Sequence, residues 1–261
     1  MPSRTPSPKT PSGTPARTPV PRIESAGLDG WIVRLFDDID EGNLAWLSAL
    51  SARCQKAFGE ALVDLVPSYT TLLVVFDPIK VSPAEARRTL TAALRDLAPH
   101  EDAVDSEIHE LPTWYDPSVG PDLARVAAHS GLSVPEVIER HSAGCYRVFA
   151  LGFAPGFAFM GLVEPALDCP RLDTPRQRVP VGSVALAGRQ TAAYPAATPG
   201  GWNLLGRTSA RLFDRNRDGF SLLKVGDRVR FVSVSREAFE QQGGDTTPME
   251  PAAGSARERV S

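Results

Sequence analysis

Apolar and polar positions divide this chain into two patterned blocks flanked by polar, Pro-rich ends. In the first block, Trp31–Phe36, Leu62–Pro67 and Thr70–Phe76 are short runs rich in β-branched and aromatic residues, which predicts three strands. Asp40 is placed to cap a helix through Leu44, Leu47, Leu50 and Cys54. Ser82, followed by Pro83, is placed to cap a second helix through Ala86, Leu90, Ala93, Leu94 and Leu97. With a last strand near Val104–Leu111, the order is β-α-β-β-α-β, the split pattern of a ferredoxin-like sandwich over residues 27–110.

The second block, residues 111–236, opens with two short helices. One spans Asp122–His129, and the other is capped by Ser133 and runs to about His141. Beyond it, Tyr146–Gly152, Val179–Ala187, Thr191–Tyr194, Asn203–Thr208 and Asp227–Val234 are β-like runs separated by Gly and Pro clusters. That spacing predicts an antiparallel β-barrel with long loops, so the fold class is α+β. Residues 1–26 and 237–261 carry too little apolar surface to offset their ordering entropy and are expected to be disordered tails.

Composition narrows the function classes. The 261 residues are 42% hydrophobic with a formal net charge of −3, and no basic stripe favours nucleic acid. No run is long and apolar enough for a membrane span and no secretory signal is evident, so a cytoplasmic protein is expected, with no membrane partner. Cys54, Cys145 and Cys169 lack metal-ligand or disulfide spacing and are expected to be small core residues; no metal site is expected.

The standard chemical motifs are absent. There is no phosphate-binding G-x-x-x-x-G-K-[ST] loop, no H-E-x-x-H and no dinucleotide fingerprint. Gly152–Gly156 has the outline of a nucleophile elbow, but Ala154 stands at the serine position. Asp214–Gly219 begins like a calcium loop, yet Val225 falls where a bidentate carboxylate is required. Residues 141–208 instead concentrate Gly, Pro, aromatics and Arg171, Arg176, Arg178, Arg189 and Arg207. Chemistry alone leaves two readings open: a backbone and guanidinium cradle for an anion, or barrel corners with solvated arginines.

The ordered motifs His141-Ser142, Tyr146, Gly152-Phe-Ala-Pro-Gly-Phe157, Pro170-Arg171, Thr174-Pro-Arg176, Val179-Pro, Gly182-Ser-Val184, Gly188, Gln190-Thr191, Tyr194-Pro195, Pro199-Gly-Gly-Trp202 and Gly206-Arg-Thr208 closely resemble the bacterial 5-oxoprolinase B-subunit family. The family is also known as allophanate hydrolase subunit 1 and as the sporulation-kinase inhibitor family, and is of the carboxyltransferase subdomain C and D type. Val66–Tyr69, Phe76–Pro78, Gly120–Leu123, Leu212-Phe213 and Val225–Phe231 extend the resemblance over about residues 27–236.

The resemblance implies a small α/β domain followed by a cyclophilin-like barrel. It further implies a protein acting with subunits A and C in cleaving 5-oxo-L-proline to L-glutamate, with ATP and Mg2+ as co-substrate and no bound prosthetic group. On that basis, Pro155, Gly156, Phe157, Pro199, Gly200, Gly201 and Trp202 are expected to present backbone groups and rings to substrate or nucleotide. Arg176 and Arg207 are expected to clamp an anion, His141 to carry a proton, Gln190 and Tyr194 to orient the amide or a water, Ser183 to donate a hydrogen bond, and Thr208 to bind substrate or nucleotide.

Three departures bear on substrate: Asp116-Pro117 after Trp114-Tyr115, Arg189 between Gly188 and Gln190, and Phe159-Met160-Gly161-Leu162. The alternative readings are a regulatory protein that docks on a histidine kinase, and a carboxyltransferase-like module acting on urea or allophanate-type amides.

Overall fold

The structure, a computed structural model, describes residues 18–100 and 108–249. The expected tails beyond these limits, and the start of the strand expected near Val104, lie outside the described residues.

The first block is a four-stranded antiparallel sheet with two helices. Its strands are β1 (Arg22–Ser25), β2 (Gly30–Arg34), β3 (Leu62–Ser68) and β4 (Thr71–Phe76), in the spatial order β1-β2-β4-β3. Period-two burial puts Leu72, Val74 and Phe76 of β4 into a core with Val33, Leu47, Leu50, Cys54, Ala86 and Leu90. These come from the sheet and from α1 (Asn43–Phe58) and α2 (Pro83–Ala93).

Ser82 caps α2 as expected, its hydroxyl accepting from the Glu85 N–H while the Glu85 carboxylate accepts from the Ser82 N–H. At α1 the helix starts later than expected: Gly42 is the cap, and the Asp40 carboxylate accepts from the Gly42 N–H at 2.8 Å in the turn before it.

Two expectations are corrected here. The edge beside β2 is filled by β1, which falls in the expected N-terminal tail; Arg22 to Ser25 pair in register with Arg34 to Trp31. Leu111 does not close this sheet. It lies in β5 (Ile108–Trp114), a strand of the barrel.

The second block is a closed barrel in the order β10-β7-β6-β13-β5-β12-β9. Its remaining strands are β6 (Tyr146–Leu151), β7 (Ala158–Gly161), β9 (Ser183–Ala187), β10 (Gln190–Ala193), β12 (Asn203–Thr208) and β13 (Arg228–Ser233). β5 and β13 run parallel and the other barrel pairs antiparallel. The short β8 (Arg176–Val179) and β11 (Thr198–Gly200) form a separate ribbon, so the expected single run from Val179 to Ala187 is two strands.

Leu111, Val148, Met160, Leu186, Ala193, Leu205 and Val229, one from each barrel strand, share one buried cluster and define the interior. Val126 of α3 (Leu123–Ser130) and Val137 of α4 (Val134–Ala143) join it. Cys54 and Cys169 are buried, but Cys145 is exposed, contrary to expectation.

The C-terminal tail is also shorter than expected. α5 (Arg236–Gln241) is capped by Ser235 and anchored by Phe239, which is fully buried against Trp114 and Val119. One aromatic residue in a polar stretch is enough to dock this helix, because Trp114 offers a ring 5.7 Å away.

The blocks meet at Tyr69. Its backbone is left-handed at φ 48°, its ring stacks on Phe149, and its N–H donates to the Phe149 carbonyl at 3.4 Å.

Candidate functional site

Strand alternation assigns the expected site residues to two faces of the barrel wall. Ala185 and Ala187 of β9, Ala192 of β10, Tyr194 just beyond it and Leu204 of β12 form a second cluster outside the interior. Phe157, Val179 and Trp202 pack onto it, with Phe159 partly buried at its side. The alanines make a flat floor on which rings lie close. Phe157 sits edge-to-face with Tyr194 (5.2 Å), Trp202 (5.9 Å) and Phe159 (4.8 Å).

Two loops wall this floor. The turn between β6 and β7 is closed by Gly152 N–H donating to Phe157 O at 3.2 Å and Phe157 N–H donating to Ala154 O at 2.9 Å. These amides are therefore used within the turn rather than offered to a ligand. Gly156, at φ 82°, lies against Phe213, so a side chain there would clash. Phe153 is also left-handed (φ 67°) and is 63% exposed, its ring 6.5 Å from Tyr194. On the other side the β8–β11 ribbon brings Pro199, Gly200 and Gly201 over the cluster. Gly200 permits contact with the Tyr194 hydroxyl that any Cβ would block. Arg171 lies 5.7 Å over the Trp202 ring.

Burial pushes the Tyr194 phenol up to about 12, against the pull of Arg171 and Arg176, so it is a neutral donor at physiological pH. Gln190 is held at the junction of the blocks, its Nε2 donating to the Tyr69 hydroxyl at 2.7 Å.

Several assigned roles need correction. His141 is fully buried inside the barrel, between the Tyr115 hydroxyl (Nδ1, 2.7 Å) and the Thr191 hydroxyl (Nε2, 2.8 Å). Burial lowers its pKa to about 3, so it stays neutral and cannot carry protons near pH 7. Arg176 is not a free clamp: its Nη2 donates to Asp122 Oδ1 at 2.8 Å in a buried ion pair, and Asp122 Oδ2 accepts from the Leu204 N–H at 2.7 Å. Arg207 is covered by the C-terminal segment, with its Nη1 donating to the Asp245 and Thr247 carbonyls at 2.6 and 3.0 Å. Thr208 ties β12 to β5 by donating to Pro112 O at 2.7 Å. Ser183 is fully buried on the outer face, and its hydroxyl has no hydrogen-bond partner among the described residues.

The structure thus gathers Phe157, Tyr194, Gly200, Trp202, Ser183 and Arg207 on the outer wall and separates His141 from them. Asp122, Tyr69 and Phe153 carry no role in the sequence reading, although all three lie in segments that carry the resemblance, and Arg171 enters it only as one of five arginines near the Gly- and Pro-rich loops. A separate cleft of about 570 Å3 opens between Glu136, Arg140, Cys145, Tyr146 and Glu164, and shares no residue with the outer wall. Among the described residues no group of three or more His, Cys, Asp or Glu could hold a metal ion, and no helix is long and apolar enough to cross a membrane.

Residues 21–223 match the family model described as carboxyltransferase domain, subdomain C and D. The chain is 36% identical to the B subunit of 5-oxoprolinase from Bacillus subtilis, over 84% of this chain and 95% of that protein. It is 52% identical to the B subunit of 5-oxoprolinase from Escherichia coli O157:H7, over 49% of this chain and 59% of that protein.

Among solved structures, TTHA0988 superposes with a TM-score of 0.70 at 38% identity, covering 86% of this chain and 41% of the longer one. The urea carboxylase of Kluyveromyces lactis superposes with a TM-score of 0.72 over 91% of this chain and 24% of its own; at 19% identity it shares the fold. The motifs of the outer wall, the two-block fold and these likenesses agree: the chain belongs to the 5-oxoprolinase B-subunit family, of the carboxyltransferase subdomain C and D type.

Proposed function

We propose that this chain is the B subunit of a cytoplasmic, ATP-dependent 5-oxoprolinase. With subunits A and C it converts 5-oxo-L-proline, ATP and water to L-glutamate, ADP and phosphate. The observation that carries this reading is the chemistry of the outer wall: a flat alanine floor, aromatic walls, a neutral phenol over Gly200 and a guanidinium at Trp202. Floor and walls pack on one another, with Phe157, Tyr194 and Trp202 no more than 5% exposed, so a small planar amide would be met at the rim, where Phe153 and Arg171 are exposed.

In this reading Tyr194 donates to the lactam oxygen, Arg171 offers positive charge to an anionic group, and the Phe157–Trp202 walls exclude water. The same wall supplies no activated nucleophile, since Ser183 has no base hydrogen-bonded to it and His141 lies on the other side of the sheet. The seat is therefore half of a site that a second protein of the complex completes. Among the described residues no group of three or more His, Cys, Asp or Glu side chains offers Mg2+ a site.

The test is glutamate release by the reconstituted A, B and C mixture given ATP and 5-oxo-L-proline. Tyr194→Phe is expected to lower kcat about 10²-fold, within the range for removing one donor from an oxyanion site, while the complex still assembles. Full activity of that variant, or no glutamate from the complete wild-type mixture, overturns the reading.

A further inference from the structure

We propose that Arg207 and Ser183 form a carboxylate-binding site on the outer wall, which the chain's own C-terminal strap, residues 245–249, covers in cis. The inference rests on reading this wall as the substrate seat, and it adds a ligand group and a competitor for it.

Arg207 and Ser183 are register partners on β12 and β9, so their side chains leave the sheet on the same face. Arg207 is 1% exposed, yet its acceptors crowd one corner: Nη1 meets Asp245 O, Thr247 O and, at 3.2 Å, Asp245 Oδ2. The Asp245 carboxylate is itself 62% exposed and compensates the buried cation only from the rim. Meanwhile Arg207 Nε and Ser183 Oγ are buried with no hydrogen-bond partner among the described residues. A buried guanidinium and a buried hydroxyl with donors to spare are costly unless a ligand takes them. A compact carboxylate has two oxygens for the guanidinium fork and the hydroxyl, which peptide carbonyls on one nitrogen do not match.

The strap is lightly fastened. Away from Arg207 it is held by Met249 N–H donating to Ser118 O and by the Met249 side chain on the aromatic cluster. It also lies beyond residue 223, where the family match ends, whereas both site residues lie within it. The strap is tethered through α5, so it competes at high effective concentration, and a free carboxylate binds with an affinity reduced by the fraction of chains in which the strap is open.

The experiment is calorimetric titration of the full-length chain with 5-oxo-L-proline, with its neutral amide 5-oxo-L-prolinamide, with succinate, and with the peptide Gly-Gly-Asp-Thr-Thr-Pro-Met. The proteins are wild type, Asp245→Lys, and Asp245→Lys combined with Arg207→Gln or with Ser183→Ala. The lysine faces Arg207 with like charge and expels the strap. The expected result is at least tenfold tighter binding of the carboxylates by Asp245→Lys than by wild type, with no gain for the amide. The peptide should compete, Ser183→Ala should weaken the gain, and Arg207→Gln should abolish it. No gain for any carboxylate, or a gain that survives Arg207→Gln, overturns the inference. A gain for succinate without one for 5-oxo-L-proline upholds the carboxylate site and overturns the 5-oxoprolinase reading.

Discussion

Replacing Arg176 by Met should unfasten the outer wall before it affects any chemistry. The guanidinium joins β8 to Asp122 at the start of α3, and Asp122 in turn accepts from the Leu204 N–H of β12. Both side chains of the pair are more than nine-tenths buried. Arg176→Met leaves the Asp122 carboxylate with its Leu204 bond and without a counter-charge, in a site closed to water. Breaking a buried pair in this way costs about 3–5 kcal/mol. For a chain of this size that corresponds to a fall in Tm of about 6–20 °C.

The companion Arg176→Met, Asp122→Asn should recover part of the loss, because an amide carries no charge and still accepts from Leu204. The assay is urea denaturation of wild type, both single variants and the double variant, read as a cycle in free energy. A loss below about 1 kcal/mol for Arg176→Met, the size of an exposed pair, would refute the buried latch and return Arg176 to the pool of ligand-binding groups.

Other outcomes follow from the same geometry. His141 binds its proton only near pH 3 in the fold but near 6.5 in the unfolded chain, so between those values the unfolded state holds more protons. Stability should fall with decreasing pH at up to about 1.4 kcal/mol per unit from this group, and His141→Gln should show a shallower slope in urea titrations from pH 6.5 to 4. Tyr69→Phe removes the acceptor of Gln190 Nε2 where the blocks meet and should cost about 0.5–1.5 kcal/mol by urea denaturation, with little change in the far-UV spectrum. Gly206→Ala sets a Cβ 2.5 Å from Trp114 O, a backbone atom that cannot step aside. It should cost about 1–3 kcal/mol or more, checked by a lowered thermal midpoint.

The parts of the molecule written as local pattern were legible. Ser82 and Ser133 each cap a helix with a reciprocal glutamate, and both positions follow from spacing alone. The runs of β6, β10, β12 and β13 also lie where periodicity places them. What escaped depends on partners distant in sequence. Arg22 to Ser25 is too polar to read as a strand, and it forms one because β2 offers an open edge. Ala158–Gly161 has no distinctive pattern and is a strand because β6 and β10 flank it.

In the candidate site, residue types pointed correctly to guanidinium groups, glycines and rings. Their roles did not follow, because a sequence does not show that Asp122 lies opposite Arg176 or that His141 lies on the inner side of the wall. The strap over Arg207 was hidden for the same reason: Asp245 and Met249 sit in a stretch whose composition reads as solvated.

The parallel pairing of β5 with β13 sets the order in which the molecule can be completed. β5 is the first barrel strand to leave the ribosome, and its two neighbours, β12 and β13, are the last. During synthesis the early strands therefore wait with open edges until residue 233 has emerged, and only then does the barrel close. Closure depends on contacts distant in sequence, which makes this step slow and leaves edges exposed to other strands meanwhile. A nascent barrel held open in this way exposes the unpaired edges that chaperones generally protect, and the last element of the described chain to settle on it is the C-terminal helix, through Phe239 on Trp114.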